Sequence, residues 1–308
     1  MAEAAVKNST VVRQNRAPWR LRAAFRLGAA IAPQATSRRA LDLFSTPMRS
    51  SRTRAEAAPT LDARLDRLRI GKHRIALYHW GDHEREPVIL ISHGWSSFGL
   101  RFSPWVSALR AQGFAVVAFD QPGHGRNEAS RVTLLSFVDT AVAVGRHVGA
   151  FAGAVGHSLG GAAIAAGMSE GLLVKRAVLI APAADAVAAS RRFSRAIALP
   201  EHRRTAMQAQ LERDSGRSMD SFSVQHIAPR LSQPALIVHD LIDSDVPWEE
   251  GERYARFWPD ARLLTTNGLG HHRIVNDPSV VAAGIGFLRG EVLGSRVVST
   301  QQLVYGLA

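Results

Sequence analysis

Hydrophobic and polar positions change rhythm along this chain, and the changes mark its elements. Val88-Ile89-Leu90-Ile91 and Phe114-Ala115-Val116-Val117-Ala118-Phe119 are unbroken apolar runs, as expected of central strands covered on both faces. Phe151-Ala152-Gly153-Ala154-Val155, Arg176-Ala177-Val178-Leu179-Ile180 and Ala235-Leu236-Ile237-Val238-His239 read the same way, and Ala261-Arg262-Leu263-Leu264-Thr265 adds a further strand. Ahead of them, residues 65–70 and 74–80 alternate like strands with one wet face, joined by a tight turn at Gly71-Lys72-His73. Helices are predicted in between. One has Pro104 near its start with Trp105 and Leu109 inward, and others cover residues 133–147, the segment Ala162-Ala163-Ile164-Ala165-Ala166, residues 248–257 and residues 278–288. Strands alternating with helices give an α/β fold, a mainly parallel sheet with helices on both faces. No internal repeat is visible.

The strand pattern lapses over residues 184–230, too long a stretch for a plain loop, so a helical cap insertion over the carboxyl edge of the sheet is expected. Arg191, Arg192, Arg195, Arg203, Arg204, Arg213, Arg217 and Arg230 lie there and hint at an anionic substrate. The solvated outer face of helices is the plainer account of them. Residues 1–60 read as a basic extension, 61–290 as the α/β domain with its cap, and 291–308 as a tail. Within the extension, Pro18 to Leu27 suits a short basic helix with Leu21 and Phe25 one turn apart. Such a helix can anchor on an anionic membrane. A strap whose apolar side packs on the body while its arginines face water is the favoured expectation.

Composition narrows the classes. Of 308 residues, 46% are apolar and 21% charged, an ordinary globular balance, and the absence of cysteine excludes disulfides and thiol chemistry. The net charge of +12 would point to nucleic acid if it lay on the fold itself. It does not: residues 1–74 hold 16 Lys+Arg against 5 Asp+Glu, and the other 234 hold 22 against 21. No nucleic-acid partner is therefore expected. No apolar run approaches the ~20 residues that cross a bilayer, and Met1 to Thr10 lacks the pattern of a secretory signal. A cytoplasmic location is expected.

Candidate chemistry centres on Gly156-His157-Ser158-Leu159-Gly160-Gly161. The stretch before it suits a buried strand and the stretch after it a helix, so the chain must fold back sharply, with its corner residue under backbone strain. Glycines at 156 and 160 leave room for that crowding. Gly-x-Ser-x-Gly alone is a weak signal, but between a strand and a helix it is the nucleophile elbow, which lifts a serine hydroxyl clear of the sheet edge.

With the elbow, three further motifs make the chain resemble an α/β-hydrolase of the serine esterase type, over about 230 residues from 61 to 288. His93-Gly94 is similar to the family's oxyanion-loop motif, and Asp120-Gln121-Pro122-Gly123-His124-Gly125 to its loop after the fourth strand. Asp243-Ser244-Asp245-Val246-Pro247 and Gly268-Leu269-Gly270-His271 are similar to its acid and histidine turns. The resemblance implies an eight-stranded sheet, no cofactor or metal, a small-molecule ester or related acyl substrate, and a triad of Ser158, Asp243 and His271.

The chemistry asks for those residue types. A serine hydroxyl needs a base to take its proton, histidine can take and return it near neutrality, and a carboxylate fixes the imidazole's tautomer. Motif alignment selects Asp243 over Asp240 and Asp245, read as loop caps or solvated charges, while Asp185 stays as a minority alternative. The Gly-x-Gly-His spacing selects His271, leaving His272 as a partly buried turn histidine. The backbone N–H groups of Trp95 and Leu159 are the implied oxyanion hole. Asp120 and His124 read as residues pinning a turn, and His73, His79 and His83 as surface or cross-strand histidines. The expected activity is ester cleavage through an acyl-enzyme, with an amidase, peptidase or thioesterase as runner-up and a purely ligand-binding relative less favoured.

Overall fold

The computed structural model describes residues 16–297, so the expectation for Met1 to Thr10 lies outside the described residues. The alternating segment forms β1 (Arg64–Ile70) and β2 (His73–Trp80), an antiparallel pair turning through Gly71, whose φ of +56° suits a residue without Cβ. The apolar runs form β3 (Val88–Ser92), β4 (Ala115–Phe119), β5 (Gly153–His157), β6 (Ala177–Ile180) and β7 (Ala235–Asp240), each buried along its whole length. β8 (Ala261–Thr266) closes the sheet at the other edge. The eight strands run in the order β1-β2-β4-β3-β5-β6-β7-β8, parallel from β4 onward.

Strand order reverses direction around β3. The chain goes from β3 outward to β4 and then returns to the far side of β3 as β5, leaving a crevice at the carboxyl ends of β3 and β5. Their register pairs Ser92 with Gly156, so the segments after Ser92 and after Gly156 leave the sheet side by side. This topology brings two sequence-distant loops to one point.

The helices in chain order are α1 (Trp19–Ile31), α2 (Pro33–Ser45), α3 (Arg49–Ala57), α4 (Ser103–Ala111), α5 (Leu134–Val148) and α6 (Leu159–Ser169). The cap then supplies α7 (Ala186–Ile197), α8 (Glu201–Ser215) and the single turn α9 (Val224–Ile227). The last are α10 (Trp248–Phe257), the single turn α11 (Gly270–Arg273) and α12 (Pro278–Leu288). Each face of the sheet has its own core. Phe137 and Val138 of α5, Ile164 of α6, and Tyr254 of α10 with Trp258 just beyond it fill one; Trp105 and Leu109 of α4 with Val280 and Phe287 of α12 fill the other. Burying each of these large side chains stabilises the fold by roughly 1.5–3 kcal/mol. The polar end of the fully buried Trp105 is satisfied, its Nε1–H donating to Val275 O at 2.7 Å.

A third cluster joins the leading segment to the cap: Phe25, Ala40 and Leu41 pack against Ile197, Leu199, Met207 and Leu211. Leu21, one turn before Phe25 on the same side of α1, does not share in it and is 37% exposed, so the packed side of the helix is covered only from Phe25 onward. Trp19, Leu27 and Ile31 of the same helix are more exposed still. Among the described residues no helix is long and apolar enough to cross a membrane.

Candidate active site

Ser158 is the one residue between the end of β5 and the start of α6, and it takes φ +53° and ψ −123°. A side chain is strained there, a cost of order 1–3 kcal/mol that the surroundings must enforce. They do so by closeness. A Cβ on Gly156 would come within 2.6 Å of Gly161 Cα, and one on Gly160 would meet Ser92 O at 2.5 Å and His93 O closer still. With no side chain at 156 or 160, α6 starts against the end of β3 and Ser158 is pushed out of the sheet edge.

His271 sits on α11, at the end of the turn that follows β8. Asp240 shapes that turn: its Oδ2 accepts from Thr266 Oγ1 at 2.7 Å and from the N–H of Leu269 at 3.0 Å. Ser158 Oγ donates to His271 Nε2 at 3.0 Å, and His271 Nδ1 donates to Asp243 Oδ2 at 2.7 Å. The other carboxylate oxygen of Asp243 accepts the N–H groups of Asp245 and Val246, each at 2.9 Å. Burial alone would raise the pKa of Asp243, but hydrogen bonds from His239 and His271 outweigh it and hold the carboxyl well below the usual range. The three side chains, spread over more than a hundred positions, thus form one hydrogen-bonded chain.

The alternatives go elsewhere. Asp185 caps α7, accepting from the N–H of Ala188 at 2.9 Å, and Asp245 faces His272 Nε2 at 3.2 Å. His272 differs from expectation: its side chain is 69% exposed, because α11 turns it outward from its neighbour His271. Trp95 and Leu159 line the same cavity as Ser158, and Leu159 opens α6, where the first N–H groups have no partner within the helix.

Two histidines in this neighbourhood were not singled out from the sequence. His157 is buried and donates from Nε2 to the carbonyl of His271 at 3.0 Å; burial, then the nearby His271, holds its pKa well below the ordinary value. His239 is fully buried, donates from Nε2 to Val246 O at 2.9 Å, and has that same nitrogen 3.4 Å from Asp243 Oδ2. Single histidines inside apolar strands carry no pattern that reveals such contacts.

Around them a polar cluster fixes the loop after β3. Asp120 accepts from Tyr78 Oη at 2.6 Å and from the N–H groups of Gly99 and Arg126, each at 2.8 Å. His124 Nε2 accepts from Ser96 N and His93 Nε2 from Gln121 N, each at 3.0 Å. Burial pushes His93 down to about 4 and His124 down to about 3, so both stay neutral acceptors. The histidines of the hairpin are not all at the surface: His79 is 5% exposed and its Nδ1 lies 3.3 Å from Nδ1 of His83. Among the described residues no group of three or more His, Cys or acidic side chains has a metal-binding arrangement.

Ser158 and His271 open into a cavity of about 540 Å³. Its walls are largely apolar: Leu43 and Phe44 from α2, Leu134 and Leu135 from α5, Phe193 from α7 and Leu211 from α8. The leading segment is therefore part of the wall. Of the cap arginines only Arg192 reaches the cavity, and it is paired with the buried Glu250. Arg204 is buried rather than on an outer face, held by Glu201, Ser190 and Gln208.

Comparison with known proteins adds the following. The model of the alpha/beta hydrolase family matches residues 88–284. No curated protein matches the sequence. Among solved structures, a bacterial membrane phospholipase A described as a virulence factor is similar with a TM-score of 0.59 at 18% identity, covering 88% of this chain and 96% of that one. An esterase from Rhodococcus sp. gives 0.54 at 20% identity, covering 74% and 98%. The thioesterase domain from the curacin biosynthetic pathway gives 0.55 at 21%, covering 74% and 99%.

Proposed function

Since the chain belongs to the alpha/beta hydrolase family, we propose that it is a serine hydrolase that cleaves a carboxylic ester with an apolar acyl group through an acyl-enzyme. The observation that carries this reading is the hydrogen-bonded chain from Ser158 Oγ through His271 to Asp243, at 3.0 and 2.7 Å, on a strained elbow beside an apolar cavity. Ser158 Oγ attacks the ester carbonyl while His271 Nε2 takes its proton. Asp243, kept ionised by its hydrogen bonds, holds the proton on Nδ1 and stabilises the imidazolium. The N–H groups of Trp95 and Leu159 receive the carbonyl oxygen as it becomes negative. Each such donor lowers the barrier by roughly 3 kcal/mol. His271 returns its proton to the departing alcohol, and the cycle repeats with water to release the acid.

An apolar cavity accepts the acyl chain equally well from a thioester, so a thioesterase is the second reading. A ligand-binding protein without catalysis has no need of the relayed hydrogen bonds. Ser158→Ala is expected to abolish both p-nitrophenyl ester turnover and labelling by a fluorophosphonate probe. Labelling of the variant at the wild-type rate sinks the assignment of the nucleophile. A panel of matched oxygen and sulfur esters separates the two readings.

A further inference from the structure

Helix α1 has two apolar sides. One, with Phe25 and Ala29, is buried, and Phe25 packs on the cap. The other carries Trp19, Ala23, Leu27 and Ile31 at successive turns of the helix, and its large members are 73%, 64% and 81% exposed. Helices on the surface of a soluble protein ordinarily show polar residues there. Three large apolar side chains standing together in water are a cost that single exposed residues do not raise.

The surroundings of this face are basic. Arg16 precedes it, Arg20 stands within it with its guanidinium 5.6 Å from the centroid of the Trp19 ring, Arg26 lies beside it, Arg38 and Arg39 follow on α2, and all five are exposed. Residues 16–57 hold nine arginines and two acids. One of those acids, Asp42, is already paired with Arg131. Tryptophan with leucine and isoleucine on one face, and arginine around them, is the composition that settles into the boundary between lipid headgroups and acyl chains. Anionic headgroups supply the charge that the arginines lack.

We infer that the exposed face of α1, with Trp19, Leu27 and Ile31 at its centre, docks the protein onto an anionic lipid surface. Contact is peripheral: the three side chains enter the interface while the arginines meet the headgroups. A single residue, Ala32, separates α1 from α2, and α2 carries Leu43 and Phe44 of the cavity wall. Docking therefore holds the cavity within the length of one 13-residue helix, ~20 Å, of the bilayer surface. The inference rests on exposure and charge alone and stands apart from the proposed hydrolysis.

The test uses the full chain and sedimentation with vesicles of phosphatidylcholine, with and without phosphatidylglycerol. Binding is expected only to the anionic vesicles, weakening as salt is raised, with a blue shift in tryptophan emission that Trp19→Phe removes. The triple variant Trp19→Ser, Leu27→Ser, Ile31→Ser is expected to bind the same vesicles at least tenfold more weakly, with ester turnover in vesicle-free solution as the check that it is folded. A wild-type chain that leaves anionic vesicles in the supernatant overturns the inference. So does a triple variant that binds like wild type, which would assign the binding to general positive charge. A wild-type dimer that the triple variant converts to a monomer, without vesicle binding, makes the face a contact between copies and overturns it too.

Discussion

Replacing Gly160 with alanine tests the elbow at its tightest point. The added methyl would lie 2.5 Å from Ser92 O and closer to His93 O, where a carbon and a carbonyl oxygen settle at about 3.3 Å or more. Both obstacles are backbone, so no side chain can swing away, and the start of α6 must part from the end of β3 by about 1 Å. That seam separates the N–H of Leu159 from the N–H of Trp95, the two groups proposed to hold the oxyanion. A misplacement of that size costs on the order of 10²-fold in rate, and losing one donor outright costs about 10²–10³. Overpacking costs about 1–3 kcal/mol of stability, about 2–4 °C in Tm for each kcal/mol in a protein of this size. The expected result for Gly160→Ala is a kcat at least about 10²-fold down, a KM changed far less because the apolar cavity is untouched, and a Tm several degrees lower. Steady-state kinetics on a p-nitrophenyl ester and thermal unfolding by circular dichroism measure both. A variant with wild-type kcat and wild-type Tm would refute the close-approach argument.

Further outcomes follow from the same geometry. Asp243→Asn should lower kcat by about 10⁴, as loss of the orienting carboxylate does in other triads, whereas Asp185→Asn should weaken only the cap of α7; equal losses in the two would show the acid to be misassigned. Stability should fall between about pH 6.5 and about pH 4, because His93 and His124 stay neutral in the fold, with pKa values of about 4 and about 3, and take up protons near 6.5 when unfolded. By pH 5 this amounts to roughly 2 kcal/mol for each histidine, measurable by urea unfolding at pH 7 and pH 5, and a flat profile would contradict it. Each methylene added to the acyl group should raise kcat/KM by up to about fourfold, from ~0.8 kcal/mol per buried group, until the cavity is filled; Phe44→Ala should shift preference toward longer chains.

Much of the fold was legible because burial leaves a plain signature. β3 and β4 are covered on both faces and read as unbroken apolar runs, and α10 and α12 begin and end where the sequence pattern places them. The convergence of Ser158, Asp243 and His271 was legible only through motif order, since nothing local in the sequence says that the three meet. The contacts of His157 and His239 were not legible at all: each stands at or near the end of an apolar strand, His157 meeting a carbonyl 114 positions away and His239 folding onto the loop its own strand runs into. The leading segment misled in another way. Its periodicity announces a helix, but α1 has apolar residues on two sides, and sequence alone does not tell which side finds a partner. Leu21 was paired with Phe25 on spacing, yet the structure buries only Phe25.

The order of synthesis gives that leading segment a history of its own. Phe25 and Leu41 leave the ribosome well before their partners Ile197, Met207 and Leu211 exist. Leu41 waits for 170 further residues before Leu211 is made, which at ~5–20 residues per second is roughly 10–30 s. For most of that interval α2 has only α1 to cover its sticky side, while the part that the cap will take stays open to water. Expression yield should therefore respond to translation speed more sharply than the finished protein's stability would indicate.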